Sequence, residues 1–249
     1  MNIYDEIKSI ESQYDYRIPD DHHLIVRIDG HKFSKFTKQF KKEKPFCDII
    51  ADSMIEVTKK LMERFGAYTV YTQSDEITLV FPSLSGLSDG WTHIYSGRIQ
   101  KISSLLAGFS SSMFVNELFK RSGKMYDVYF DARVFATKSD VELCKSVLCR
   151  IKDGIRNSKQ SFAYFYAGHK KLLHKKADEQ IEYVAKEFGK QWETIDNKFK
   201  YGVLVKKKKY LKENNVVRSQ IIELVDIIPE INCHEKKYIE LIKAKYYES

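Results

Sequence analysis

The feature that most constrains the fold is a pair of apolar, strand-like segments with a very short polar join. Residues 67–71 and 77–81 are rich in β-branched and aromatic side chains, as buried strands are. Between them stand Ser74, Asp75 and Glu76. A connection this short predicts a β-hairpin. The hairpin would place two adjacent carboxylates at the end of a buried sheet, where a charge is costly unless something neutralises it.

The elements on either side of this hairpin follow a βαββαβ order. Residues 23–28 have the composition of a compact strand, and an apolar stripe at 48–65 indicates a helix that ends at Gly66. A long helix is predicted at 91–121 and a further strand at 128–136. This order is ferredoxin-like and predicts an α+β fold. Right-handed crossovers would put both helices on one face and the first and third strands at the centre.

Other helical features lie near the N-terminus and within the second long helix. Residues 2–14 have helical composition, and Phe33, Phe36 and Phe40 recur at helical spacing until Pro45. The second long helix contains many small residues, which we expect to bring it close to the sheet. These residues are Ser103, Ser104, Ala107, Gly108, Ser110, Ser111 and Ser112.

The second part of the chain is more basic and mainly helical by pattern. Helices are predicted in it at 141–155, 159–169 and 178–188. Residues 201–205 indicate a strand, whereas the pattern of 216–228 is ambiguous. Because no clear linker separates the two parts, we expect a catalytic domain at 1–137 and a mainly helical subdomain at 138–249 that packs on it.

The net charge indicates a polyanionic partner without identifying it. The chain of 249 residues carries a formal charge of +8 and has a pI near 9.0. Lysines are concentrated between residues 32 and 44 and again at 206–209. Such groups make the phosphate contacts of nucleic-acid-binding proteins, although a solvated charged surface is the plainer interpretation.

Several classes of protein are disfavoured by composition. The four cysteines form no CxxC pair, and no histidine cluster completes a zinc pattern. Apolar runs are too short to span a bilayer, and the acidic N-terminal segment lacks the features of a signal peptide. We therefore expect a cytoplasmic protein that is not bound to a membrane.

The fold could bring together carboxylates that are remote in sequence. Asp29 and Gly30 end the first strand, and in a ferredoxin-like sheet that end can lie beside the hairpin. Asp29, Asp75 and Glu76 would then gather in one place. Their hard oxygen atoms suit Mg²⁺, and a pair of such ions can promote phosphoryl or nucleotidyl transfer. Residues 31–34 would offer backbone N–H groups to a phosphate at the start of a helix.

Three short motifs resemble those of the tRNA-His guanylyltransferases. They are V-R-I-D-G-x-x-F at 26–33 with Phe36 following, Q-S-D-E at 73–76, and F-D-A-R at 130–133. Their order and separation also agree with that family over most of residues 20–160. The resemblance implies a polymerase-type palm that works in reverse and adds nucleotides to the 5′ end of tRNA.

The resemblance also implies the reactants and the catalytic residues. A 5′-monophosphate is first activated, usually by ATP, and the 3′-hydroxyl of a nucleoside triphosphate such as GTP then attacks it. Two Mg²⁺ ions would serve both steps. Asp29 and Asp75 would bridge them, the Gly30 carbonyl would add a ligand, and Glu76 would be a supporting acid. Lys44 matches a basic residue linked to the activation step.

Further residues are assigned to nucleotide and RNA binding by the same resemblance. The nucleotide-binding set also contains His31, Lys32, Phe33, Ser34, Ser74, Arg98 and Lys101. Possible contacts to tRNA or its 5′ end are Arg133, Arg150, Asp153, Arg156, Asn157, Ser158 and Lys200. A homotetramer is implied as well.

One departure from the eukaryotic pattern favours a particular function. Those enzymes carry a signature histidine where this chain has Ile155, and residues 156–158 look more like the guanylyltransferase-like proteins. We therefore favour templated repair of 5′-truncated tRNA over addition of a single G to tRNA-His. A nucleotidyl or dinucleotide cyclase on the same palm and a non-catalytic RNA-binding module are the alternatives.

Overall fold

The computed structural model describes residues 2–40, 45–87, 90–212 and 216–248, and its centre is one six-stranded antiparallel sheet. The strands are β1 (His23–Gly30), β2 (Thr69–Gln73), β3 (Glu76–Phe81), β4 (Phe130–Thr137), β5 (Val203–Lys212) and β6 (Val216–Leu224). Their order across the sheet is β4-β1-β3-β2-β5-β6. The first four strands therefore have the predicted ferredoxin-like arrangement, with β1 and β3 at its centre.

Eight α-helices surround this sheet in the described ranges. They are α1 (Ile3–Ser12), α2 (Phe33–Thr37), α3 (Asp48–Phe65), α4 (Ile99–Ser122), α5 (Asp140–Ala167), α6 (Ala177–Phe188), α7 (Asn197–Tyr201) and α8 (Lys236–Lys243). Short 3₁₀ turns precede α4, α6 and α7, and another follows β6. None of the described helices is long and apolar enough to cross a membrane.

Alternating side chains of each strand feed two cores, one on each face of the sheet. On β1, Leu24, Val26 and Ile28 pack with residues of α3 and α4, as predicted for a sheet with both crossover helices on one face. Ile25 points the other way and packs with residues of α5 and α8. Because both faces of β1 are covered, its sequence is almost continuously apolar.

The second long helix differs from its prediction in two respects. The helix begins at Ile99 rather than at residue 91. Its N-terminal extension is interrupted at Gly97, which packs closely against the backbone of Ile18. A Cβ on Gly97 would lie 2.3 Å from the Ile18 carbonyl oxygen, and Gly97 has a φ of +70°. The small side chains also face solvent more often than expected. Ser104, Gly108 and Ser112 are exposed, while Ile102, Leu106 and Phe114 take the buried positions.

The C-terminal part has fewer breaks and more strand than predicted. The helices expected at 141–155 and 159–169 are one helix, α5, which runs unbroken from Asp140 to Ala167. The strand expected at 201–205 begins at Val203 and continues to Lys212. The ambiguous segment forms β6, which pairs with β5 along its whole length. One sheet thus contains strands from both parts of the chain.

Strand β5 buries a lysine. Lys206 is completely buried, and its Nζ donates a hydrogen bond of 2.8 Å to Thr69 Oγ1. The same Nζ contacts the Ala244 carbonyl, and Thr69 Oγ1 donates to the Ile242 carbonyl at 2.7 Å. These bonds satisfy carbonyls at the end of α8, which would otherwise lack partners. Burial lowers the pKa of Lys206 to about 7, and no described carboxylate forms an ion pair with it.

The stability of the fold should therefore depend on pH through Lys206. An unfolded lysine has a pKa of about 10.4, so between about pH 7 and pH 10 the unfolded chain binds a proton that the folded chain does not. Stability should rise with pH across this window. Thermal unfolding at a series of pH values should show this rise as an increase in Tm. Lys206→Met should make Tm less dependent on pH. The exposed Lys209→Met is the control, and equal slopes in both variants would contradict the assignment.

Candidate active site

The hairpin between β2 and β3 lies beside the end of β1, as the sequence predicts. Asp29 is opposite Glu76 in the β1–β3 register, and the Gly30 N–H donates a 3.1 Å hydrogen bond to the Asp75 carbonyl. Ser74 has a φ of +56°, a left-handed conformation that is unusual for a residue with a side chain. This sharp turn places Asp75 at the same corner of the sheet as Asp29.

The three carboxylates at this corner differ in the charges around them. Burial raises the pKa of Asp75, and the charge of Asp29 raises it further, while hydrogen bonds from the backbone and Ser74 oppose the shift. Burial also raises the pKa of Glu76, and the charge of Asp29 adds to this, but there the charges of Arg150 and Arg27 oppose the shift. Within the described residues, Asp75 thus has no cation that favours its ionised form, whereas Glu76 has two.

The donors at this corner suit a hard cation, although the expected cluster of three carboxylates does not form. Within the described ranges, no three His, Cys, Asp or Glu side chains are close enough to hold a metal ion together. Asp29, Asp75 and the Gly30 carbonyl remain as candidate ligands. Mg²⁺ needs few protein ligands, since water and substrate phosphates complete its shell. A Cβ on Gly30 would lie 2.5 Å from Phe33 and 3.0 Å from Asp75 Cβ, so only glycine fits there.

A cavity of about 490 Å³ opens beside the hairpin and has the size of a small-molecule site. Nine residues of the predicted site line it: Phe33, Ser34, Ser74, Asp75, Glu76, Arg150, Asp153, Asn157 and Ser158. Its lining contains the polar side chains of Ser34, Ser74 and Asp75. It also contains apolar side chains, namely Ile50, Met54 and the pair Phe46 and Phe199, whose rings stack with centroids 5.0 Å apart.

Arg150 joins α5 to the hairpin inside this cavity. Its guanidinium lies 3.3 Å from Glu76 and 2.5 Å from Asp153, and Asp153 is also 3.0 Å from Arg156. Arg150 and Asp153 were predicted to contact tRNA. In the structure Arg150 pairs with both Asp153 and Glu76. An RNA contact by Arg150 or Asp153 would therefore involve a side chain that already has an ionic partner.

Other predicted residues have structural partners in place of a free side chain. Ser158 Oγ accepts a hydrogen bond from the Trp192 indole at 3.1 Å. Lys200 is buried and donates to the Glu193 carbonyl at 2.8 Å, and it does not line the cavity. Its neighbour Lys198 does line the cavity and lies 3.1 Å from Asp48 and 2.9 Å from Asp52.

Residues near the start of α2 flank the cavity in different ways. His31 is exposed and stacks on Tyr129 with ring centroids 4.8 Å apart, and Lys32 is exposed with a φ of +49°. Phe33 is buried and contacts Phe114 and other aromatic rings, so it also serves the core. Lys44, assigned to the activation step, lies outside the described residues.

Three predicted basic residues lie away from the cavity. Arg98 pairs with Asp15 at 2.7 Å and forms a backbone bridge with Arg17, beside the start of β1. Lys101 lies over the Tyr95 ring at the same end. The eight residues of β1 separate that end from Asp29 by about 20 Å. Arg133 lies on the edge strand β4, with 63% of its side chain exposed.

Three residues to which the sequence assigned no role support the hairpin and its carboxylates, namely Arg27, Gln73 and Gly154. Arg27 is directly opposite Thr78 in β3, lowers the pKa of Glu76 by its charge, and has a buried Nε with no hydrogen-bond partner in the described structure. A charged residue inside an apolar strand was a signal for it. Gln73 and Gly154 also support the hairpin. Their residue types alone do not indicate this role, because it depends on how closely α5 approaches β2.

The Arg150 contacts should stabilise the fold measurably. Arg150→Met removes hydrogen bonds between charged groups and leaves Glu76 half-buried without its cation, so unfolding should become easier by about 2 kcal/mol. Urea unfolding at pH 7 would measure the change. Arg156→Met is the matched control, since Arg156 is exposed and pairs only with Asp153 in the described residues. Equal losses in the two variants would contradict the role given to Arg150.

The first half of the chain matches a known protein family. A family described as "Thg1: tRNAHis guanylyltransferase" matches residues 4–138. Among single proteins, "Uncharacterized protein R259" of Acanthamoeba polyphaga mimivirus is 28% identical over 99% of this chain and 90% of its own length. The tRNA(His) guanylyltransferase 1 of Arabidopsis thaliana is 25% identical over 83% of this chain. The match spans only 37% of that longer protein.

Solved structures of similar fold come from bacterial and yeast proteins. A bacterial tRNA(His) guanylyltransferase (Thg1)-like protein in complex with ATP has a TM-score of 0.83 at 24% identity, over 97% of this chain and 99% of its own. A GTP complex of such a protein has a TM-score of 0.76 at 25% identity, over 95% and 98%. The tRNA(His) guanylyltransferase of Saccharomyces cerevisiae has a TM-score of 0.68 at 22% identity, over 89% of this chain and 97% of its own. Since the family match covers more than half of the chain, the protein belongs to the tRNAHis guanylyltransferase family, whose members are nucleotidyltransferases.

Proposed function

We propose that the protein adds nucleotides in the 3′-to-5′ direction to the 5′ end of tRNA, as a templated repair of truncated ends. One observation carries this proposal. The half-buried Asp75, destabilised by Asp29, faces a nucleotide-sized cavity between the hairpin and α5. Such a corner favours a divalent cation with bound phosphates, which is what nucleotidyl transfer needs.

The reaction exchanges phosphate bonds at the 5′ end of the RNA. The 5′-monophosphate attacks the α-phosphate of ATP and releases pyrophosphate. The 3′-hydroxyl of the incoming triphosphate then attacks the activated 5′-phosphate, and AMP leaves. Mg²⁺ held by Asp29, Asp75 and the Gly30 carbonyl would supply Lewis-acid chemistry at these phosphates.

Different side chains of the cavity can bind the phosphates and the base of a nucleotide. The hydroxyls of Ser34 and Ser74 and the N–H groups of the first turn of α2 can donate hydrogen bonds to phosphate oxygens. The Phe46–Phe199 pair, with Ile50 and Met54, offers apolar surface for a nucleobase. Arg150 holds Glu76, and its charge opposes the rise that burial causes in the pKa of that supporting acid.

The preference for templated repair rests on α5. Ile155, at the signature histidine position, is half-buried and packs with apolar residues on the inner side of the helix. No titratable side chain is therefore available at that position for recognition of a particular tRNA end. Asn157 lines the cavity and is exposed, so it can meet an RNA end by hydrogen bonding.

A tRNA lacking its first 5′ nucleotide and carrying a 5′-monophosphate is the substrate that tests the proposal. With ATP, Mg²⁺ and labelled triphosphates, the protein should add the nucleotide that pairs with the opposite base of the acceptor stem. Asp75→Asn should reduce addition by at least about a hundredfold, since it removes a negative charge that would hold Mg²⁺ at the phosphates. The exposed Glu182→Gln is the control and should keep full activity.

Other outcomes of this experiment would point elsewhere. Addition of only one G, independent of the opposite base and restricted to tRNA-His, would favour the narrower guanylyltransferase activity. A cyclic product from triphosphates alone would favour a cyclase. Tight tRNA binding without any Mg²⁺-dependent nucleotide binding would favour a non-catalytic module. Full activity of Asp75→Asn would contradict the proposed metal site.

The implied homotetramer can be tested independently. Helix α1 has no buried residue in the described chain, and it exposes Ile3, Ile7 and Ile10 along one face. An exposed apolar stripe of this kind is usually covered by another surface. Sedimentation of the protein should give a mass of four chains, and Ile7→Glu should lower that mass if α1 takes part. A monomer at micromolar concentration would contradict the assembly.

A further inference from the structure

The side-chain amide of Gln73 connects the catalytic hairpin to the opposite wall of the cavity. Its Nε2 donates hydrogen bonds to the carbonyls of Phe199 at 3.2 Å and Lys200 at 3.0 Å. Its Oε1 accepts a hydrogen bond of 2.8 Å from the Tyr71 hydroxyl. Since both ends of the amide are used, its orientation is fixed by its partners.

The hydroxyl of Tyr71, which is two residues before Gln73 on β2, also takes part in this connection. It lies 2.8 Å from the Tyr201 carbonyl as well as from Gln73. Tyr71 is buried, and burial raises the pKa of its hydroxyl, so the group stays a hydrogen-bond donor. Three successive carbonyls, from Phe199 to Tyr201, are thus within hydrogen-bond distance of two side chains of one strand.

Two glycines let other elements come close enough for this arrangement. A Cβ on Gly154 of α5 would lie 1.6 Å from Gln73 Oε1. A Cβ on Gly202 would lie 2.5 Å from the Thr72 carbonyl and 2.8 Å from the Tyr71 hydroxyl. A helix interior does not favour glycine, which costs about 1 kcal/mol relative to alanine there. The close approach to Gln73 gives a physical reason for Gly154.

The carbonyls that Gln73 holds belong to the segment that forms the cavity wall. Phe199, whose ring stacks on Phe46, and Lys198, which bridges to Asp48 and Asp52 on α3, both line the cavity. Gln73 directly precedes Ser74 and Asp75 in the chain. The amide therefore joins the hairpin residues that line the cavity to the segment that carries Phe199.

We propose that Gln73 is a positioning residue for nucleotide binding. It holds α7 against the hairpin so that one nucleotide can place its phosphates at Ser74 and at the Mg²⁺ that Asp75 would hold, and its base on the Phe46–Phe199 surface. Gln73 itself does not contact the reacting atoms. This inference rests on the proposed function, because it needs a nucleotide in this cavity.

Substitution of Gln73 should weaken nucleotide binding more than it slows the chemical step. Gln73→Met keeps the length of the side chain but removes its hydrogen bonds. Its KM for the incoming triphosphate should rise by about tenfold, with kcat changed less than about threefold. Direct titration with a non-hydrolysable fluorescent ATP and Mg²⁺ should show the same loss. Hydrogen exchange at residues 197–202 should become faster without nucleotide. Gln220→Met, an exposed glutamine of β6, is the matched control.

The short approach of Gly154 allows a test by a double-mutant cycle. Gly154→Ala should displace the Gln73 amide and raise the nucleotide Kd as much as Gln73→Ala does. In the Gln73→Ala background, the closest remaining neighbour of the methyl group is the Tyr71 hydroxyl at 3.2 Å, which needs to shift only by a few tenths of an ångström. Gly154→Ala should therefore change the Kd much less in that background than in the wild type.

The outcomes separate this inference from the proposed function. If the wild-type protein binds no nucleotide with Mg²⁺, both are wrong. If the wild type binds but Gln73→Met binds equally well, or if the two effects in the cycle multiply, only the positioning role is wrong. A merely structural role would lower Tm and the active fraction without moving Kd or KM, and that result would also overturn it.

Discussion

The hydrogen bond from the Gly30 N–H to the Asp75 carbonyl forces two carboxylates to share one partly buried corner of the sheet. Neither Asp29 nor Asp75 can move away, because each is fixed by strand pairing or by a tight turn next to it. Their repulsion can be relieved by a proton, which the raised pKa of Asp75 reflects, or by a cation that binds beside both carboxylates. The rest of the site can be understood as surroundings for that cation: hydroxyls for its phosphates and a cavity for the molecule that carries them.

The adjacent Glu76 has a different situation although it is next in sequence. A strand turns successive side chains to opposite faces, so Glu76 points toward α5 and meets Arg150. Two neighbouring acids therefore have separate environments, one without a cation and one paired with an arginine. The contrast arises because Asp75 still belongs to the tight turn whereas Glu76 is the first residue of β3, and it divides a single acidic pair into two chemical roles.

Prediction from sequence succeeded where periodicity and local geometry decide the structure. The hairpin, the βαββαβ order and the neighbourhood of Asp29 and Asp75 all follow from alternating apolar residues and a short turn. It failed where burial or a distant contact decides. Lys200 and Lys198 look alike in sequence, but one is buried against the Glu193 carbonyl and the other reaches the cavity. Arg98 lies away from the cavity, and a motif does not show this, because it depends on the kink at Gly97 and on the length of β1.

The unbroken course of α5 has a mechanical consequence. A helix of 28 residues is about 42 Å long and behaves as a stiff rod over that length. Its middle meets the cavity through Arg150, and its first residue, Asp140, lies 2.9 Å from His23 and 2.8 Å from Lys243 at the other end of the sheet. One rigid element therefore links the Arg150 contacts at the cavity to the contacts that Asp140 makes with α8 and the start of β1.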